Sequence, residues 1–211
     1  MALFEAENLS CVRGERTVFA GLSLRLDRGE ALLLSGPNGS GKSSLLRLAA
    51  GLLHPAGGRL LWDGSAIAAD PEGHRARLAY VGHQDAVKPV LSAGENLAFW
   101  AALEGGEAAA VPGALAHFGL AALVDVPGRM LSSGQRRRLN LARLLTAPAA
   151  LWLLDEPSVG LDEEAVAALE AAIARHSAGG GLVLVASHLP LALGKARELR
   201  LAGAAGTWGR S

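Results

Sequence analysis

The chain of 211 residues is poor in cysteine and aromatics and has no excess charge of either sign. Its single cysteine, Cys11, excludes an intrachain disulfide and fits a reducing compartment. Lys+Arg and Asp+Glu number 20 each, so bulk charge does not hold this chain to nucleic acid. Long apolar runs are also missing. Ala147 to Leu154 and Gly181 to Ala186 fall far short of the roughly 18–20 residues that span a bilayer. The opening residues Met1-Ala2-Leu3-Phe4-Glu5 lack the basic segment and long apolar run of a signal peptide. These absences predict a cytoplasmic chain that does any membrane work through another chain. Half of the residues are hydrophobic, enough for one large domain or a core with a subdomain.

What is present is sharper. Gly36-Pro37-Asn38-Gly39-Ser40-Gly41-Lys42-Ser43 reads G-x-x-x-x-G-K-S, with the apolar run Ala31 to Leu34 before it. A helical run beginning Ser44-Leu45-Leu46-Arg47-Leu48 follows. A strand, a glycine-rich turn and a helix in that order make a phosphate-binding loop. The glycines let backbone N–H groups converge on a phosphate, and the helix start adds its dipole. Lys42 is placed to reach the β- and γ-phosphates, and Ser43 to ligate Mg²⁺. The ligand class is a nucleoside triphosphate, held by residues 36–44.

The pattern around this loop alternates strands and helices. Residues 3–35 read as short strands and turns, with Leu22 to Leu26 alternating apolar and polar. A helix is expected from Lys42 to Leu53, stopped by His54-Pro55 and Gly57-Gly58. Arg59 to Trp62 and Leu78 to Val81 are strand candidates. From Asp85 to about Ser132 the strand signal fades, and helices are expected at Glu95 to Leu103 and Ala114 to Leu123. The stretch Ala101 to Ala116, rich in Ala and Gly, reads as a pliable surface piece. Strands return at Leu151 to Leu154 and Leu182 to Ala186, alternating with helices at Gln135–Leu145 and Glu163–His176, as in parallel α/β sheets. The expected organisation is a single domain, with residues 1–84 and 136–211 as an α/β core and residues 85–135 as a helical insertion.

The run Leu151-Trp152-Leu153-Leu154 ends in Asp155-Glu156. A buried strand ending in two carboxylates aims both at the phosphate loop of the neighbouring strand. Asp155 would hold Mg²⁺, and Glu156 would polarise the attacking water. Just before that strand stands Leu131-Ser132-Ser133-Gly134-Gln135, followed by Arg136-Arg137-Arg138. On its residues alone, this segment also reads as a helix cap leading into a basic face.

Its order before the acidic strand resembles the L-S-G-G-Q signature of ATP-binding cassette (ABC) ATPases, with Ser133 in place of the first glycine. The resemblance covers nearly the whole chain. It implies an α/β phosphate-loop NTPase core of ABC type with an antiparallel β subdomain and a helical insertion. Gln84, after the strand at 78–81, matches the family's glutamine loop, which touches Mg²⁺ and the reacting water. Asp162, in Ser158-Val159-Gly160-Leu161-Asp162, matches the dimer contact, and His188 matches the histidine that braces the γ-phosphate. Arg13 stands where the family usually has an aromatic residue that stacks on adenine. A guanidinium plane can stack on a base too. The family implies ATP and Mg²⁺ as ligands and a head-to-tail homodimer. Each ATP then lies between Lys42 and its loop in one copy and Ser132, Ser133, Gly134 and Gln135 of the other.

Val81-Gly82-His83-Gln84, Lys88 and Leu91-Ser92-Ala93-Gly94-Glu95-Asn96-Leu97-Ala98-Phe99 narrow the resemblance to the haem-exporter ATP-binding subunits of bacterial cytochrome c maturation. Such a subunit implies integral membrane partners at the cytoplasmic face of the inner membrane. It also implies indirect service to a periplasmic haem chaperone, by moving haem or by releasing the loaded chaperone. Val87, Lys88, Val90 and Leu91 are candidates for the docking groove. No nucleic-acid partner is expected. A cassette ATPase exporting lipid, drug or peptide, a non-transport cassette ATPase and a phosphoryl-transferring kinase are the alternatives.

Overall fold

The computed structural model of the chain describes residues 3–202. Strands β1 (Phe4–Arg13) and β2 (Arg16–Leu26) form a hairpin, and β3 (Ala31–Ser35) runs into helix α1 (Lys42–Ala49). Then come β4 (Gly57–Trp62), β5 (Ser65–Ala66), α2 (Pro71–Ala76) and β6 (Leu78–Val81). Helices α3 (Ala93–Leu103), α4 (Val111–His117) and α5 (Ser133–Ala142) follow. The chain closes with β7 (Leu151–Asp155), α6 (Glu163–Ala178), β8 (Leu182–Ala186) and β9 (Arg197–Arg200). None of the described helices is long and apolar enough to cross a membrane.

Two sheets result. One is antiparallel, in the order β2-β1-β4-β5, and the other is parallel, in the order β6-β7-β8-β3-β9. β7 and β8 are buried along their whole length, which is why they read as continuous apolar runs rather than alternating ones. Their side chains still alternate between faces. Leu151, Leu153, Leu182, Leu184 and Ala186 join a core with α1 and the antiparallel sheet. Trp152, Leu154, Val183 and Val185 join a second core with α3, α4, α5 and α6. Burying one such aliphatic side chain contributes about 1.5–3 kcal/mol.

The elements between 85 and 135 are helical turns, and Leu97, Leu115 and Phe118 share the second core with Leu154 and Val185. The stretch 101–116 lies largely at the surface, with Leu103, Gly105, Glu107, Ala108 and Ala109 exposed, while Ala101 at one end and Val111, Ala114 and Leu115 at the other are buried. A Cβ added at Gly106 would lie 1.9 Å from the Thr146 carbonyl oxygen, so this segment is glycine-dependent because it is closely packed. Arg143 reinforces the join: its guanidinium lies 3.6 Å from the Trp100 ring centroid and donates to Glu104 Oε1 at 2.7 Å.

Three further differences have plain causes. α1 ends at Ala49, short of Leu53, because Gly51 turns left-handed (φ 68°) and the Leu52 N–H donates back to the Arg47 carbonyl. The expected helix 114–123 is α4 plus a separate turn at Ala121–Leu123, divided by Gly119 at φ 66°. The acidic strand β7 does not neighbour β3: β8 lies between them, with Ala186 opposite Leu34 on one side and Asp155 on the other. The carboxylates reach the phosphate loop because α1 crosses the sheet face over β8 and β7.

Candidate nucleotide site

The loop joining β3 to α1 is shaped by its glycines. Gly36, Gly39 and Gly41 have φ of 133°, 80° and 105°, which L side chains rarely adopt. Two of them are also crowded. A Cβ on Gly36 would lie 2.2 Å from the Leu201 carbonyl oxygen, and one on Gly41 would lie 2.7 Å from Val18 Cγ1. β2 therefore walls one side of the loop, and the segment after β9 walls another, fastened by the Leu201 N–H on the Ser35 carbonyl at 2.8 Å. Pro37, Asn38 and Gly39 stay exposed, whereas Ser40 and Lys42 are buried. The Ser40 hydroxyl has no hydrogen-bond partner. Cys11 hydrogen-bonds with Ser44, and burial pushes the Cys11 thiol pKa up. Arg13 is exposed at the end of the hairpin, opposite Arg16.

Lys42 folds over its own loop. Its Nζ donates to the Gly36 carbonyl at 2.8 Å and to the Pro37 carbonyl at 3.3 Å, which closes the loop around a cation. At the next residue of the helix, Ser43 Oγ donates to Asp155 Oδ1 at 2.9 Å, although Ser43 and Asp155 are 112 apart in sequence. A hydroxyl and a 3 % exposed carboxylate at this separation are hard oxygen donors of the kind Mg²⁺ prefers. Gln84 is exposed on the loop after β6.

Glu156 is unusual in its backbone. It has φ 49° without being glycine, a conformation that costs on the order of 1–3 kcal/mol and persists only where surroundings fix it. Its N–H donates to the Ala186 carbonyl at 2.8 Å, and its own carbonyl accepts from Arg137 at 2.7 Å. Glu156 Oε2 then accepts from the His188 backbone N–H at 3.2 Å and lies 2.7 Å from His188 Nδ1. Lys42, Ser43, Asp155, Glu156 and His188 thus form one chain of neighbours at the ends of β3, β7 and β8.

The signature segment lies elsewhere. Ser132 caps α5 in a reciprocal box: its Oγ accepts from the Gln135 N–H at 3.2 Å, and Gln135 Oε1 accepts from the Ser132 N–H at 2.8 Å. The Ser132 hydroxyl proton stays free to donate. Gly134 faces the loop after β7, where an added Cβ would lie 3.5 Å from the Gly160 carbonyl. Asp162 caps α6 by accepting from the Ala165 N–H at 2.9 Å. No hydrogen bond joins residues 132–135 to the phosphate loop of the same chain among the described residues.

The three arginines that follow are not a solvated basic face. Arg136 donates to the Leu131 carbonyl, Arg138 to the Phe118 carbonyl, and Arg137 is buried. Their run gives no sign in sequence that the middle one turns inward. α2 lies outside the elements expected from sequence although Asp70-Pro71 announces it: Asp70 accepts from the Gly73 N–H at 2.9 Å and Pro71 opens the helix. β9, with the sequence Arg-Glu-Leu-Arg, has too little apolar pattern to be seen.

Comparison with known proteins bears on this geometry. The family model described as ABC transporter matches residues 19–159. A cytochrome c biogenesis ATP-binding export protein of Rhodospirillum rubrum is 60% identical over 200 residues, covering 95% of this chain and 86% of that one. Its counterpart in Paramagnetospirillum magneticum is 57% identical, covering 94% and 93%. A solved ATP-binding subunit of an ABC transporter superposes with a TM-score of 0.84 at 28% identity, covering 95% of this chain and 86% of that one. The phosphate loop, the acidic strand end and the matched sequence thus agree, and the chain belongs to the ABC transporter ATPases, among the cytochrome c biogenesis ATP-binding export proteins.

Proposed function

We propose that this chain hydrolyses Mg-ATP between two copies of itself and so drives a membrane complex that serves haem delivery in cytochrome c biogenesis. The observation that carries the reading is the convergence of Lys42, Ser43, Asp155, Glu156 and His188 from three strand ends. Cytochrome c biogenesis and export are the words in the relatives' names, and they support the choice of cargo pathway.

In this reading, ATP displaces the Gly36 and Pro37 carbonyls from Lys42 Nζ. The amides of residues 36–44 then surround its phosphates at the positive end of α1. Arg13 lies against the base. Ser43, Asp155 and Gln84 would hold Mg²⁺, which when bound neutralises phosphate charge. Glu156 takes a proton from the attacking water, and His188 keeps its carboxylate aimed. Ser132, Ser133 and Gly134 of the second copy, on the N-terminus braced by Gln135, close over the γ-phosphate, with Asp162 at the contact between copies. Two unit charges 4 Å apart attract by about 4 kcal/mol at an effective dielectric near 20. Several such contacts, offset by desolvation, suffice to open and close a pair. Residues 85–135 act as a helical subdomain that meets the membrane subunits.

Its surface supports that docking. Val90 and Met130 are 75% and 70% exposed, on loops joined by the Arg129 N–H on the Pro89 carbonyl at 3.0 Å. Asn96 pins the same loop to α3 by bonding Lys88, Leu91 and Ser92, and Lys88 Nζ lies over the Phe99 ring. The site sits at the cytoplasmic face of the inner membrane, and nucleic acid has no part. Affinity capture from membranes should recover integral membrane subunits that raise ATP turnover and bind haem or its chaperone. Recovery of soluble partners alone, or of membrane subunits indifferent to haem, would remove the haem-export reading.

A further inference from the structure

Arg137 is the most heavily committed buried cation among the described residues. It lies on α5, five residues after the cap residue Ser132, and its side chain is 7% exposed. Nη1 donates to the Gly82 carbonyl at 3.0 Å and meets Asp85 Oδ1 at 3.5 Å. Nη2 donates to the Asp155 carbonyl at 3.2 Å and to the Glu156 carbonyl at 2.7 Å. One guanidinium thus joins three segments: the signature helix, the two ends of the Gly82–Asp85 loop that carries Gln84, and the acidic pair. Only a planar fork with several fixed donors can do this, and a lysine ammonium cannot reproduce it.

The Glu156 contact matters most. Its peptide is held left-handed from both sides, by Ala186 at its N–H and by Arg137 at its carbonyl. That backbone direction aims the carboxylate at His188. Arg137 also lines a cavity of about 150 Å³ with His83, Asp85, Ser133, Val159 and Gly160, so the signature helix, the glutamine loop and the loop after β7 border one space.

We propose that Arg137 is a positioning residue for hydrolysis. It transmits the docking of the signature segment, at Ser132 to Gly134, to the backbone of Glu156 and to the glutamine loop of the same copy. It touches none of the phosphate-loop residues, so it sets turnover rather than affinity. The inference rests on the reading of Glu156 as the base.

The test compares R137M, R137K and E156Q in the full chain with its co-purified membrane subunits. Turnover is measured against Mg-ATP concentration, and affinity with a fluorescent ATP analogue. R137M should lose about tenfold or more in kcat, with KM and analogue Kd within about threefold of the parent. R137K, which keeps the charge and part of the carbonyl contact, should recover part of kcat. Unchanged kcat in R137M, or a loss confined to affinity, would overturn the proposal. If R137M does not fold, R137K decides: parental kcat overturns the proposal, and reduced kcat at parental Kd supports it. An E156Q chain with normal turnover removes the base and the proposal together. An inactive E156Q beside a fully active R137M removes the proposal alone.

Discussion

At the scale of the residue, His74 shows how burial becomes pH dependence. Its Nε2–H donates to the Ala49 carbonyl at 2.8 Å, and its ring clusters with those of Phe4 and Trp62, the three centroids 6.4–6.5 Å apart. Nδ1 is buried with no partner. Protonation would therefore bury an unpaired N–H, and burial, the largest cause, lowers the pKa below its ordinary value of 6.5. His176, stacked 4.0 Å from Trp152, is lowered by burial as well. The unfolded chain then takes up the proton first, so stability is fully present above about pH 6.5 and falls as pH drops through the folded pKa. Urea unfolding at pH 7.5 and 5.5 should show this loss. H74F should reduce the slope by up to about 1.4 kcal/mol per pH unit, the contribution of one differential proton. An identical slope in H74F would show that other groups carry the acid sensitivity.

At the scale of the element, α5 shows a cap with two uses. Its box fixes the first turn, and on the proposed reading the Ser132 hydroxyl, which only accepts in that box, also donates to a phosphate. S132A should cost about 1 kcal/mol of stability from the lost cap. It should also weaken turnover more than that destabilisation explains, measured as kcat at a temperature well below unfolding. Parental kcat in a destabilised S132A would confine Ser132 to capping. Elements with a local signal were the legible ones. β7 and β8 were visible as apolar runs, α6 by its periodicity, and the phosphate loop by glycines that sterics require. α2 carries its signal only in Asp70-Pro71, because six residues are too few to show a helical period. β9 carried none, because an edge strand that pairs with β3 through its backbone needs no apolar pattern. The strand order was hidden too, since β8 enters between β7 and β3 from more than 25 residues later in the chain.

At the scale of the whole molecule, the contacts that sequence could not supply are those between distant segments. Asp155 and Glu156 were identifiable from their position after an apolar run, but not the left-handed backbone of Glu156 or its pairing with His188. Arg137 looked like one of three equivalent arginines until packing distinguished it. The E156Q chain saturated with Mg-ATP should run as a closed pair in size exclusion or scattering, with turnover reduced at least about a hundredfold. A lone protomer under those conditions, with membrane subunits present, would end the two-copy mechanism.

Within one polypeptide, among the described residues, the segment at 132–135 makes no hydrogen bond to the phosphate loop. Defects in the two places are therefore separable between subunits. On the two-copy reading proposed above, a K42A chain mixed with an S132A chain should form some pairs in which one composite pocket inherits both lesions and the opposite pocket inherits neither. Two individually crippled alleles could thus complement each other in one cell, up to half the normal number of working pockets in each mixed pair.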